Sequence, residues 1–230
     1  LGTVASFLIP KVKYNDKNIK FSVARRRLSF GWRHRTLRAS IIALSMFWAL
    51  AQVFLLVFQD VSGSQTVNTM QNYLAFAVVG LVVGAIIAAH NSKDFIETGF
   101  VPLGMIGASL CMFLIPFFVH PVALSILYTA IGIFGGMFLV PVNALLQYNT
   151  RPNNSGWVIA LANMIQALVL VVFLFIYSSL VRYTSLEPPY YFIGLALISV
   201  GVFYWSILNL PQALVRSLLR LVLIFSGRRG

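Results

Sequence analysis

Apolar side chains come in six long runs along this chain, and the polar stretches between them are short. Residues 39–59, 73–89, 98–119, 122–147, 156–181 and 190–210 hold no Asp, Glu, Lys or Arg. An uncharged run of this length crosses the roughly 30 Å hydrocarbon core of a bilayer as a helix. The separators read as turns and loops. Residues 60–72 are polar without a basic residue, 90–97 form a short loop, His120-Pro121 makes a tight turn, and 148–155 contain Asn-Thr-Arg-Pro-Asn-Asn. A backbone facing lipid must satisfy its own hydrogen bonds, and these runs are too long and too uniformly apolar for barrel strands, so the pattern predicts an all-α membrane protein with six transmembrane helices.

The chain divides accordingly. Residues 1–10 are apolar but too short to span, and read as the end of a preceding transmembrane helix. Residues 11–38 are a basic loop, 39–210 the six-helix bundle and 211–230 a basic, apolar tail expected to lie as a helix at the interface. Of 230 residues 59% are hydrophobic and 10% charged, against about a quarter charged in soluble domains. Lys and Arg number 17 against 5 Asp and Glu, but they sit between apolar runs and not on one solvated face, so nucleic acid is not the implied partner. Six spans put both ends on one side. That side holds every Lys and Arg except Arg182, which makes it cytoplasmic. Tyr128, Tyr148, Trp157, Tyr177, Tyr183, Tyr190 and Tyr191 fall near span ends, as expected of rings at headgroup level.

Little within the spans can carry chemistry. His34, His90 and His120 lie at different depths, Cys111 sits in an apolar run as a small packing residue, and the pattern supplies no catalytic set, metal site or cofactor loop. Carboxamides remain. Gln52 lies in the first span, Asn143 and Gln147 lie four apart in the fourth, and Asn163 and Gln166 lie three apart in the fifth, so each pair shares a helix face. Two readings stay open for them: interhelical hydrogen bonds, or the polar lining of a substrate path. Gly80 and Gly84 form a Gly-x-x-x-Gly face, and Gly132, Gly135 and Gly136 a close-approach patch. Tight packing is the plain reading, and helix sliding or bending the sharper one, to which Pro141 inside the fourth span adds a kink; Pro116 has the same effect in the third.

The run Gly132-x-x-Gly135-Gly136-Met-Phe-Leu-Val-Pro141-Val-Asn143-Ala144-Leu145-Leu-Gln147, then Arg151-Pro152 and Gly156-Trp-Val-Ile-Ala160-x-x-Asn163, resembles the tenth and eleventh helices of bacterial lysophospholipid transporters of the major facilitator superfamily. Glu97-Thr-Gly99-Phe-Val-Pro102-Leu-Gly104 is similar to the entry of that family's ninth helix, and Ala5 to Pro10 to the end of its sixth. Leu210-Pro211 with Leu214-Val-Arg216-x-Leu-Leu resembles the junction where fused members enter an acyltransferase domain.

The resemblance implies the C-terminal half of a twelve-helix transporter in the bacterial inner membrane. It would move lysophospholipids, chiefly of the ethanolamine type, toward the inner leaflet for reacylation. Its implied partners are membrane lipid, the lysophospholipid, an N-terminal six-helix half and an acyltransferase domain, with Asn143, Gln147 and Asn163 as candidate substrate contacts. That acyltransferase carries a His with an Asp five positions later. His34, His90 and His120 are followed at that offset by Ala39, Phe95 and Ser125, so its site is not expected in this chain. Another facilitator-type carrier, for a drug or a sugar, and a membrane anchor of an acyltransferase remain the alternatives.

Overall fold

A computed structural model describes residues 34–61, 67–92, 97–118, 120–150, 155–184, 186–187 and 189–209. The expected end of a preceding helix, most of the basic loop and the interfacial tail lie outside them. Within them are six α-helices: α1 (Arg35–Val61), α2 (Val67–Asn91), α3 (Phe100–Leu114), α4 (Pro121–Tyr148), α5 (Ser155–Tyr183) and α6 (Tyr190–Asn209). All six are long and apolar enough to cross a membrane, α3 together with the 3-10 turn Ile115–Phe117 that carries Pro116. No strand occurs among the described residues, and the chain is an all-α, multi-pass membrane protein.

Most helices are longer than the uncharged runs. Hydropathy marks the hydrocarbon core, whereas a helix has no reason to stop where headgroups begin. Arg35 and Arg38 therefore lie in the first turn of α1, Asp60 near its end and Arg182 near the end of α5.

Contacts between helices follow residue size. α1 packs on α4, α5 and α6, and α4 on α1, α2 and α3; α3 also packs on α6. α2 rests on α4, and α5 rests on α1. The surface α5 presents outward, including Leu168, Val171, Val172 and Phe175, is apolar, as a helix facing lipid or another membrane helix must be.

The tightest seam joins α2 to α4. A Cβ on Gly80 would stand 2.1 Å from the Thr129 carbonyl oxygen, and one on Gly84 2.0 Å from that of Ile133. From the other side, a Cβ on Gly132 would meet the Ala77 oxygen at 2.0 Å and one on Gly136 the Leu81 oxygen at 2.3 Å. Backbone thus lies on backbone, which only glycine allows at these four places. Gly135 stands apart from the patch expected of it. One residue turns the helix by about 100°, and a Cβ there would touch only the Phe47 ring, at 3.5 Å. α4 continues as a helix through Pro141, which is buried.

Two of the tyrosines near span ends are buried against neighbouring helices. Tyr128 is 3% exposed and packs with Phe54, Phe58 and Tyr73 in an aromatic cluster. Tyr177 is buried, and its hydroxyl donates a short hydrogen bond to the Asp60 carboxylate, tying α5 to α1. Neighbouring helices supply ring partners and an acceptor that span position alone does not reveal. Tyr148, Tyr183 and Tyr190 are exposed. At the opposite end of the bundle the Arg35 guanidinium donates to the Leu208 carbonyl at 2.6 Å, joining the start of α1 to the end of α6.

Candidate functional site: a carboxamide groove

Four of the five singled-out carboxamides meet. Asn143 and Gln147 on α4 and Asn163 and Gln166 on α5 line one cavity of about 350 Å3, together with Trp48, Leu146, Ile159 and Ala162. Helical spacing explains the convergence: intervals of three and four residues keep each pair on one face, and the two faces look at each other across a gap where α4 and α5 scarcely touch. The buried Ala162 and Leu146 contribute apolar wall. Gln147 and Asn163 are exposed and Asn143 and Gln166 half-buried, so the cavity is a groove. Gln52 is exposed on α1 and does not join it.

The groove holds no formal charge. Asn143 Nδ2 donates to the Leu139 carbonyl of its own helix at 3.0 Å. Gln147, Asn163 and Gln166 make no side-chain hydrogen bond among the described residues. A carboxamide has two donor hydrogens and an acceptor oxygen, so four of them offer both polarities without the cost of desolvating an ion. Such a surface suits a ligand bearing both phosphate-like acceptors and ammonium-like donors.

Trp48 is the residue the run pattern does not single out. It sits in the middle of α1, away from the interfaces where tryptophan gathers, is 41% exposed, and closes the groove on the α1 side. Its ring packs edge-on to Phe47, centroids 5.5 Å apart. Mid-span depth was the available signal. Among the described residues no group of three or more His, Cys, Asp or Glu could hold a metal ion.

No family model matches the chain, and no solved structure matches it. Curated relatives do. The lysophospholipid transporter LplT of Photorhabdus laumondii is 27% identical over 91% of this chain and 53% of its own length. That of Escherichia coli is 27% identical over 91% of the chain and 53% of its length, and that of Cronobacter sakazakii 31% identical over 77% and 47%. The chain spans about half the length of the curated relatives it matches. It is a homologue of the lysophospholipid transporters, matching a C-terminal half of them.

Proposed function

We propose that this chain is the C-terminal half of a lysophospholipid transporter with a major facilitator fold, working in a bacterial inner membrane with both ends in the cytoplasm. The groove carries the reading: in a chain homologous to lysophospholipid transporters, α4 and α5 gather four uncharged polar side chains into one open cleft. In a transporter built from two similar six-helix halves, the substrate site lies between the halves near mid-membrane. Carboxamides left facing lipid would be unfavourable, so the groove is taken to face an N-terminal half.

In this reading the carboxamide N–H groups donate to the lysophospholipid phosphate, while their oxygens and the face of Trp48 receive the headgroup ammonium. Because the groove is uncharged, it can hold a headgroup without an ion pair that would slow release. The chain works as a carrier and not as an enzyme, and an acyltransferase that reacylates the lipid is a partner, fused or separate.

The test is flipping of labelled lysophosphatidylethanolamine in vesicles holding this chain together with its N-terminal half. The expected result is acceleration over empty vesicles, reduced by Asn143→Leu and by Asn163→Leu. No acceleration overturns the transport reading; wild-type rates in both variants overturn the assignment of the groove.

A further inference from the structure

A second cavity, of about 190 Å3, lies inside the bundle between α1, α2, α3 and α4. Among the described residues its only polar lining side chain is that of Ser199 on α6. Small residues make part of its wall: Ala51, Ala77, Ala108 and Gly135, with Gly104 and Gly132, whose missing side chains would instead meet the backbones of α4 and α2. Membrane helices use small residues to bring backbones together, as at the α2–α4 seam; around this cavity part of that economy leaves empty space. Protein interiors seldom tolerate it. An apolar cavity of about 150 Å3 can stay free of water and accept an apolar guest, and left empty it costs stability.

Two features of its position identify the guest. First, the cavity shares a wall with the groove. Phe47 lines the cavity while its neighbour Trp48 lines the groove, and Phe138, another cavity residue, stacks on Phe47 with centroids 5.4 Å apart. Second, the cavity opens sideways. α1 and α2 scarcely pack on each other beyond the edge contact of Phe58 with Tyr73, and Val78 of α2, 62% exposed, lines the cavity. A polar groove and an apolar cavity on two sides of one aromatic partition fit a single molecule with a polar head and an apolar tail.

We infer that the cavity bounded by α1, α2, α3 and α4 receives the acyl tail of the amphiphile whose headgroup occupies the carboxamide groove. This rests on the transport reading given above. The tail passes the Phe47–Trp48 partition or enters through the α1–α2 gap, and the cavity then holds part of its length. Chain length becomes a determinant of affinity, since each methylene removed from water contributes.

Two measurements on the chain with its N-terminal half decide it. The cavity is filled by Ala108→Phe or, more gently, by Ala51→Leu, and flipping is compared for palmitoyl and hexanoyl lysophosphatidylethanolamine. The expected result is a KM about tenfold higher for the palmitoyl lipid, as when a couple of methylenes lose their site, with the hexanoyl KM unchanged. A palmitoyl KM that stays put in the folded Ala51→Leu protein, or both KM values rising together, overturns the inference.

Separately, a palmitoyl lysolipid with a photoreactive group at the tail end should label peptides containing Met105 or Met112, both on the cavity wall. Excess palmitoyl lysolipid should suppress that labelling while excess diacyl phospholipid does not. Equal suppression by both makes the occupant a bilayer lipid, and no labelling points to a side chain of the other half; either result overturns the inference. The labelling needs no turnover, so a protein that flips nothing but labels specifically would fail the transport reading and keep the tail site.

Discussion

Gly132 and Gly136 point from α4 in nearly the same direction as Asn143 and Gln147, because eleven residues are about three turns of helix. Yet the two ends of this stripe meet opposite surroundings. The glycine part is pressed against the α2 backbone, with no room for a methyl group. The carboxamide part, beyond Pro141, looks into a groove toward a helix that α4 scarcely touches. The difference lies in what each residue type requires. A glycine without a close neighbour gives up packing for nothing, whereas a carboxamide with its hydrogen bonds filled has nothing left for a ligand. The same helix face thus holds the bundle together at one height and leaves it open at another.

Crowding the seam should have the largest effect. Gly84→Leu or Gly136→Leu places a side chain where backbone already stands, so the helices must separate, at a cost above the usual overpacking range of about 1–3 kcal/mol. Little folded protein is expected by size-exclusion chromatography in detergent. Phe138→Leu removes one stacked ring from a buried site and should cost less, about 1–2 kcal/mol, leaving a folded protein with a lower thermal midpoint. If Phe138→Leu proves as damaging as Gly136→Leu, close backbone approach is not what makes the seam.

A smaller effect is expected where α5 is tethered. Tyr177→Phe removes the hydroxyl that donates to the exposed Asp60, and about 1 kcal/mol should be lost. Asp60→Asn should cost no more, and in the double variant the losses should not add, which a cycle of thermal unfolding measurements in detergent would read.

The smallest change in stability belongs to the groove. Asn163→Leu breaks no hydrogen bond among the described residues, and Asn143→Leu loses one to its own helix, so each should shift stability by no more than about 0.6 kcal/mol. A large loss of folded yield in either would mean that the carboxamides hold helices together, and the contrast along α4 would vanish.

Much of this was readable in advance. The six spans were, because the cost of a charge in hydrocarbon writes itself into the sequence as uncharged runs. The carboxamide pairs were also readable as faces, since helical periodicity is fixed before tertiary structure. That the two faces oppose each other was not readable, because it depends on how α4 and α5 are placed around α1. Tyr128 and Tyr177 were read as interfacial from their position along the runs; burial depends on neighbours, and here those are aromatic rings and Asp60. Gly135 was grouped with Gly132 and Gly136 by adjacency, although a single residue step is enough to turn it toward Phe47. Trp48 was marked only by its mid-span depth, and the apolar cavity was invisible because an absence of side-chain volume is shared among four helices, and no one of them records it.

The hydrogen bond from Arg35 to the Leu208 carbonyl makes the bundle a ring in the topological sense. Where the polypeptide enters α1 and where it leaves α6 are within one side chain's reach of each other. The outer ends of a bundle's first and last helices this close can be joined by a short linker and new termini cut elsewhere, so the bundle is a candidate for circular permutation, with the break moved to a separator such as the one between α2 and α3. A permuted protein would keep every helix contact described and change only the order in which the helices are synthesised and inserted.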